Sequence, residues 1–342
     1  MNPARQVAKL AVHSLYASAA LARVKLGRAP ALVILTYHRV LPANHPARAT
    51  EQPGMMISPE ALERHLELMK SLGAEFVSLN GWLKEAEAGN PLPRLAVAVT
   101  FDDGWQDNYQ YAFPILKKHQ IPGTIFLVSR RVNTEWQFWP ERVLNLLINH
   151  TDRLEDPALS WLLPFCPQEI RRRNANIDLL QADQVVQNLK ELDDQTIEHH
   201  LHAAESALPE LKKRSEARPL LNDHEIEEMA SSGLIDFGAH TQHHYRLNLL
   251  KDEQQLQREI VDSLRDVESK GGRPVRIFCY PNGDISAKGE ALVKEHFGAA
   301  CTTLRGWNRL PAAPYGLRRF NFHDGNGGSN LSFLATLGRP GF

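Results

Sequence analysis

The sequence predicts an α/β protein in which parallel strands alternate with helices. Four short, unbroken apolar runs predict buried strands at residues 31–36, 95–101, 234–239 and 275–280. Segments with apolar residues at helical spacing lie between these runs, which is typical of βα units. The 342 residues are 43% apolar and 23% charged, so the chain can form a packed core and is not an extended disordered protein.

Residues 1–30, before the first strand, predict a separate basic amphipathic helix. The apolar run near residues 10–22 is shorter than the ~20 apolar residues that a membrane-spanning helix needs, and Arg23 and Lys25 follow it closely. We therefore expect a helix that lies on the domain or makes peripheral contact with a membrane surface. A cleaved signal peptide and a disordered segment are the alternatives.

Residues 31–342 predict a single barrel-forming domain. The helical patterns around its strands lie at 58–72, 223–231, 251–270 and 287–295. The first of them opens with Ser58 and Pro59, a helix cap followed by a proline in the first turn. Residues 324–329 are rich in glycine and predict a loop.

From about residue 130 to residue 220 the chain lacks a strand pattern and predicts a helical insertion in this domain. Helical spacing recurs in three parts of it, 139–149, 178–192 and 194–208. The insertion carries Trp136, Trp139 and Trp161. These rings either anchor the insertion to the barrel or line a groove that binds an amphipathic ligand such as a sugar.

Polar side chains follow the predicted strands directly. They are His38, the pair Asp102-Asp103, the pair His240 and His244, and the turn at Pro281. In βα architectures the ligand site forms at the carboxyl ends of the strands, so we expect these side chains to converge. Two histidines and one carboxylate are a common set for Zn²⁺ or another divalent ion, and the second carboxylate would then be free to act as a base.

Each of these signals also has an ordinary structural explanation. The four-residue spacing of His240 and His244 places both imidazoles on one face only if the segment is helical, and histidine clusters are frequent on protein surfaces. An Asp-Asp-Gly sequence after a strand is often a turn. His38 is a candidate for the acid that protonates a leaving group, or a histidine that bonds to a loop carbonyl.

Four motifs in order resemble the exopolysaccharide-type branch of the polysaccharide deacetylase family, the NodB-homology proteins. They are TYHRV at 36–40, TFDDG at 100–104, GAHTQHH at 238–244 and FCYPNG at 278–283. The resemblance covers about residues 31–322 and is weakest in the insertion. It implies a distorted (β/α)7-type barrel that removes N-acetyl groups from amino-sugar polymers or oligosaccharides.

The resemblance also implies roles for particular residues. Asp102 would be the catalytic base, and Asp103, His240 and His244 would hold the metal ion. His38 would be the general acid in this branch. The metal would be a divalent ion, with Zn²⁺ as the first choice and Ni²⁺, Co²⁺ or Mn²⁺ as alternatives.

Other positions in the motifs are less settled. His323 is the second candidate for the acid, and Tyr280, Pro281 and Asn282 would contact the substrate. Asn282 stands where the family usually has an aromatic residue, and Cys279 stands where an arginine often orients the base.

The sequence offers three candidates for the cation that Cys279 cannot supply. They are Arg276, Arg318 and Arg319.

The expected partner is an N-acetylated amino-sugar polymer or oligosaccharide. Nucleic acid is not expected, because 39 basic and 40 acidic residues leave a net charge of −1. The alternatives are an O-acetyl esterase or another amidase on the same metal site, and a carbohydrate-binding protein without turnover. Three cysteines without a CxxC pair suit a reducing compartment, so a cytoplasmic or membrane-peripheral location is expected before a secreted one.

Overall fold

A curled sheet organises the computed structural model, which describes residues 3–168, 177–211, 219–270, 272–311 and 313–340. Nine of its eleven strands form this sheet, and two form a separate parallel pair. In chain order the strands are β1 (Ala31–Tyr37), β2 (Arg39–Val40), β3 (Met56–Ile57), β4 (Glu75–Phe76), β5 (Leu95–Phe101), β6 (Gly123–Leu127), β7 (Ile235–Ala239), β8 (Pro274–Cys279), β9 (Ala299–Cys301), β10 (Asn308–Arg309) and β11 (Phe320–Asn321).

The sheet runs in the order β10-β1-β5-β6-β7-β8-β9, with β4 beside β5 and β11 beside β1. All of these pairs are parallel except β1 with β10. Leu317 hydrogen-bonds to Ala300 and Thr302 next to β9, and the chain then continues into β11, which pairs with β1. The two ends of the sheet therefore meet, and the predicted distorted (β/α) barrel is confirmed.

The four predicted strands are present as β1, β5, β7 and β8, each within one residue of the predicted ends. Every residue of β1 and β5 is buried, as their unbroken apolar sequences predict. Alternate residues face opposite sides: Leu32 and Ile34 pack inside the barrel, whereas Val33 and Leu35 pack against the surrounding helices. Two layers of core thus fix the strand ends that carry the polar residues.

The described residues include thirteen α-helices. They are α1 (Pro3–Leu26), α2 (Pro59–Ser71), α3 (Leu79–Glu87), α4 (Phe113–His119), α5 (Trp139–Asn149), α6 (Leu179–Leu189), α7 (Asp194–Ala207), α8 (Asp223–Ser231), α9 (Glu253–Gln257), α10 (Ser263–Ser269), α11 (Ala287–His296), α12 (Asp324–Gly327) and α13 (Asn330–Gly338). As the cap sequence predicts, α2 begins where the Ser58 hydroxyl accepts a hydrogen bond from the Ala61 amide.

One local prediction is confirmed with a change in geometry, and one is wrong. The helix expected at 251–270 is present over residues 253–269, and a π-helical turn at Arg258–Asp262 joins α9 to α10 within it. The glycine-rich segment 324–329 is not a loop throughout, since α12 forms within it. The side chains of His323 and Asn326 form a capping box there, which satisfies the free amides of that first turn.

Helix α1 packs against α13 through Ala17, Ala20 and Val24, which are buried. The backbones approach closely, because a Cβ placed on Gly338 would lie 1.7 Å from the Tyr16 carbonyl oxygen. Among the described helices, none is both long and apolar enough to cross a membrane.

Between β6 and β7 the chain leaves the barrel and forms a cluster of helices with its own core. Helices α5, α6 and α7 bury Val143, Val185 and Leu201 against one another, separately from the barrel core. Trp161 packs on this core and stacks on His200 with ring centroids 5.0 Å apart. The helices stand beside the carboxyl ends of the strands, where they form part of a cavity wall.

Candidate metal centre

Three of the predicted metal ligands meet at the carboxyl ends of β5 and β7. Asp103 Oδ1 lies 3.3 Å from His240 Nε2 and 3.4 Å from His244 Nε2. Asp103 Oδ1 is buried, and no described group donates a hydrogen bond to it. A buried carboxylate oxygen without a donor is costly, and a cation between these three atoms would remove that cost.

Backbone with positive φ orients the metal-site side chains in both the Asp-Asp-Gly turn and the loop that carries the two histidines. Asp103 has φ 75°, and Gly104 follows with φ 77°, where an added Cβ would come within 2.8 Å of the Leu127 side chain. His244 has φ 65°, so His240 and His244 lie in a loop and do not use the helical spacing. The loop still brings both imidazoles to one carboxylate.

The histidines present the atoms that a divalent metal needs. His240 Nδ1 donates to the Cys279 carbonyl oxygen at 2.7 Å, which fixes the ring with Nε2 directed toward Asp103. Burial lowers the pKa of His244 to about 4, which keeps this imidazole neutral. Trp105 Nε1 donates to Asp103 Oδ2 at 2.9 Å and leaves Oδ1 for the ion. The donor set therefore fits a divalent cation.

Two other clusters in the described part of the chain bring metal-binding residue types together, and neither fits as well. In the set of Asp102, His240 and Cys279, the carboxylate is held by an arginine, and burial raises the pKa of the Cys279 thiol. In the set of Glu63, Glu67 and His119, Glu63 already binds Lys118 Nζ at 2.8 Å on the surface.

Asp102 lies beside this set and is held by Arg319. Arg319 Nη1 donates to Asp102 Oδ1 at 2.7 Å and Nη2 donates to Oδ2 at 2.8 Å. Burial alone would raise the pKa of Asp102, but the Arg319 charge and its hydrogen bonds outweigh burial and lower it. His38 Nε2 lies 3.8 Å from Asp102 Oδ2.

The two other candidate cations do not take this position. Arg276 is bound to Glu268 on the surface, and Arg318 donates to the Arg305 carbonyl oxygen.

A cavity of about 340 Å³ opens above these residues. His38, Asp102, Asp103, His240, His244, Tyr280 and Asn282 all line it. Pro281 is buried and is not among the lining residues, and neither is His323. The His323 ring accepts a hydrogen bond from the Gly325 amide at 3.2 Å as the cap of α12. Of the insertion's rings, Trp136 and Trp139 line the cavity and Trp161 does not.

The site also depends on residues that the motifs did not single out. The Arg39 guanidinium lies 4.1 Å above the Trp105 ring and binds Asp107, Glu51 and Glu141. Arg39 therefore ties the strand end to α5 of the insertion and supports the indole that orients Asp103. The only sign of this role in the sequence is that Arg39 lies inside the TYHRV motif. The sequence does not show that Arg39 pairs with carboxylates as distant along the chain as Glu141.

Comparison with known proteins identifies relatives in sequence. Residues 89–297 match the polysaccharide deacetylase family. A poly-β-1,6-N-acetyl-D-glucosamine N-deacetylase of Staphylococcus aureus is 32% identical over 108 residues, which are 30% of this chain and 37% of that protein. The chain thus spans little more than a third of this relative's length.

Two solved structures share the fold. The Streptococcus pyogenes deacetylase PplD in complex with acetate has a TM-score of 0.58 at 16% identity, and the match covers 92% of this chain and 100% of that one. IcaB from Ammonifex degensii has a TM-score of 0.55 at 19% identity, with 90% and 98% covered. At these identities the likeness establishes the fold alone. The sequence match extends over more than half of the chain, and the chain belongs to the polysaccharide deacetylase family.

Proposed function

We propose that this protein removes N-acetyl groups from a polymer of β-1,6-linked N-acetylglucosamine, with a divalent metal ion bound to Asp103, His240 and His244. The observation that carries the proposal is the buried Asp103 Oδ1, which faces two imidazole nitrogens and lacks a donor among the described residues. The family match and the name of the staphylococcal relative support the reaction and the polymer.

Each group near the donor set has a role in amide hydrolysis. Asp103, His240 and His244 would hold the divalent ion, which would polarise the acetyl carbonyl and lower the pKa of the water next to it. Asp102 stays ionised because Arg319 holds it. Its Oδ2 also accepts from the Cys279 thiol, so Oδ1 is the oxygen with a further lone pair for the proton of the attacking water.

His38 is the group proposed to protonate the leaving amine. Its ring lines the cavity beside Asp102, and its Nδ1 has no hydrogen-bond partner in the described part of the chain. His323, the alternative acid, is bound as a helix cap outside the cavity lining.

Zn²⁺ is the proposed metal. Two imidazoles and one carboxylate leave positions open for water and substrate, as in catalytic zinc sites. Ni²⁺, Co²⁺ and Mn²⁺ bind similar donors, and the affinity of one donor set generally rises from Mn²⁺ through Co²⁺ to Ni²⁺. Metal analysis of the purified protein identifies the ion.

The substrate contacts proposed here are Tyr280 and Asn282, which line the cavity, and the buried Pro281 joins them in the chain. The exposed Asn282 amide offers hydrogen bonds where the family usually stacks a ring on the sugar. This difference changes how a sugar is held rather than which bond is broken.

Peripheral contact with the cytoplasmic side of a membrane is also proposed. Helix α1 exposes Val7, Leu10 and Leu15, and its sequence holds basic residues but no aspartate or glutamate. The three cysteines are buried, and none of them forms a disulfide in the described part of the chain, which suits a reducing compartment. Sedimentation with anionic and neutral lipid vesicles tests this contact, and substitution of Leu10 and Leu15 by glutamate should abolish binding to the anionic vesicles.

Acetate release from β-1,6-linked N-acetylglucosamine oligomers tests the proposed reaction. The enzyme should release acetate and form free amines in equal amounts, lose activity after chelation, and regain it with added Zn²⁺. An O-acetylated glucan serves as the comparison substrate. Activity on that ester alone would support an esterase, and oligomer binding without any acetate release would support a binding protein.

A further inference from the structure

A second cavity lies directly beside the first and shares a wall with it. It measures about 530 Å³ and lies between the first turn of α7 and residues 245–255, which follow the loop at residues 240–244, called here the histidine loop. Asp194, Tyr245 and Arg246 line both cavities. Both volumes are in the range of ligand sites, roughly 300–1,000 Å³.

The shared wall is rigid, because its charged groups are buried and fully engaged. Asp194 Oδ1 accepts from Trp139 Nε1 and from Arg246 Nε, both at 3.1 Å, and Oδ2 accepts from the Arg246 amide at 2.7 Å. Arg246 Nη1 donates to the Lys190 carbonyl oxygen at 2.8 Å. A wall held in this way keeps both cavities open before a ligand arrives, which lowers the entropy cost of binding.

Tyr245 provides an aromatic surface at the border of the two cavities. Its half-buried ring stacks on His243 with centroids 5.5 Å apart and planes 22° apart. His243 Nδ1 lies 2.6 Å from Glu259 Oε1, and the backbone amides of Gln242 and His243 donate to Glu259 Oε2. Glu259 is buried in the π-helical turn between α9 and α10, so its hydrogen bonds hold residues 242 and 243, and with them the His243 ring that stacks on Tyr245.

The second cavity suits a hydroxyl-rich ligand. Its acidic residues Asp193 and Asp252 are used as the caps of α7 and α9, and the Thr196 hydroxyl donates to Asp193. The other side chains that can meet a ligand offer two amides, an imidazole, a lysine amine and apolar surface. They are Gln195, His199, Leu249, Leu250, Lys251 and Gln255. Sugars use this mixture of hydrogen-bonding groups and apolar contact.

We propose that the second cavity is a distal sugar subsite, which binds an N-acetylhexosamine residue that an intervening sugar separates from the residue of the same polymer chain that reacts at the metal. Tyr245 stacks on the sugar that crosses from one cavity to the other. The inference rests on the proposed function. It predicts an enzyme that prefers long oligomers, although Asn282 replaces the family's usual aromatic contact.

The test compares kcat/KM for acetate release from β-1,6-linked N-acetylglucosamine dimers to hexamers. Wild type should show a value that rises with length. Tyr245→Ala should lower the hexamer-to-dimer ratio roughly tenfold, and Tyr245→Phe, which keeps the ring, should retain it. Gln255→Trp, which fills the second cavity far from the metal ligands, should also remove the rise.

Tyr111→Ala is the matched control, because this partly buried tyrosine lines neither cavity. Metal content measured in each variant separates a subsite effect from damage to the histidine loop. A hexamer-to-dimer ratio unchanged in both Tyr245→Ala and Gln255→Trp, with acetate still released, overturns the subsite and leaves the proposed function intact.

Binding of the hexamer to Asp102→Asn protein, measured by calorimetry, gives a readout without turnover. Addition of Gln255→Trp to this protein should weaken binding about tenfold. Equal affinities would count against the subsite. If wild type neither binds nor hydrolyses any of these oligomers, the proposed function fails and the subsite fails with it.

Discussion

Arg319 binds Asp102 through two parallel hydrogen bonds, which Nη1 donates to Oδ1 at 2.7 Å and Nη2 donates to Oδ2 at 2.8 Å. Both side chains are buried, so the pair is desolvated and its geometry is fixed. Arg319 belongs to the segment between β9 and β11 that closes the barrel. It supplies the positive charge beside Asp102 that an arginine at the position of Cys279 would otherwise supply. The carboxylate proposed as the base is thereby held ionised and immobile.

Arg319→Lys should keep the charge but lose the paired geometry. We expect kcat to fall about 10²-fold with KM and metal content unchanged, because a small displacement of a base has a large effect on rate. Arg319→Met should in addition lower the free energy of unfolding by about 3 kcal/mol, since it leaves Asp102 buried and unpaired. Arg318→Met is the control. A normal kcat for Arg319→Lys would remove the positioning role.

The proton donor is tested by comparing two histidines on two substrates. His38→Ala should nearly abolish hydrolysis of the amide and have much less effect on an activated ester, whose leaving group needs no proton. His323→Ala should have a small effect on both substrates, because this ring caps α12 outside the cavity lining. If His323→Ala shows the amide-specific loss instead, the role passes to His323.

Stability should depend on pH through His65. This ring is buried between Tyr37 and Phe333 and bonds to the Gly327 carbonyl oxygen, and burial lowers its pKa from 6.5 to about 4. Between these values the unfolded chain binds a proton that the folded protein does not. The stabilisation is therefore complete above pH 6.5 and is lost as the pH falls.

Urea unfolding at pH 7 and at pH 5 measures this effect. His65 should account for a loss of about 2 kcal/mol between the two values. His65→Gln, which cannot take up the proton, should show a correspondingly smaller pH dependence. The same loss in both proteins would assign the effect to other groups.

Trp136 and Trp161 should behave differently although both belong to the insertion. Trp136 lines the cavity, with the Arg131 guanidinium 4.2 Å from its ring, whereas Trp161 packs on the insertion's own core. Trp136→Ala should raise KM several-fold, because it removes an aromatic contact with the sugar. Trp161→Ala should lower the free energy of unfolding by about 2 kcal/mol and leave KM unchanged. Equal KM values for the two variants would contradict this distinction.

The strand ends were predictable because strands buried on both faces have unbroken apolar sequences, as at Leu95–Phe101. The polar residues of the candidate site follow directly after these strands. Asp102 and Asp103 could thus be located from the sequence. Arg319 could not be chosen over Arg318, because the choice depends on how residues 317–319 close the barrel across more than 200 positions.

The remaining features that the sequence did not predict depend on interactions between groups that are not adjacent in the chain. In the π-helical turn at Arg258–Asp262, Glu259 accepts hydrogen bonds from the backbone amides of residues 242 and 243, and no local sequence pattern encodes that contact. The short α12 depends likewise on capping by His323 and Asn326, against the loop preference of its glycines.

The most direct test separates metal binding from proton transfer at two adjacent carboxylates. Asp102→Asn should retain stoichiometric metal and reduce acetate release roughly 10²–10⁴-fold, the loss expected for a general base. Asp103→Ala should lose metal and activity together, as should His240→Ala and His244→Ala, whereas His296→Ala on the surface should lose neither. Metal content and acetate release are measured on the same samples. Full metal with near-normal turnover in Asp103→Ala, or an unchanged rate in Asp102→Asn, would contradict the proposed site.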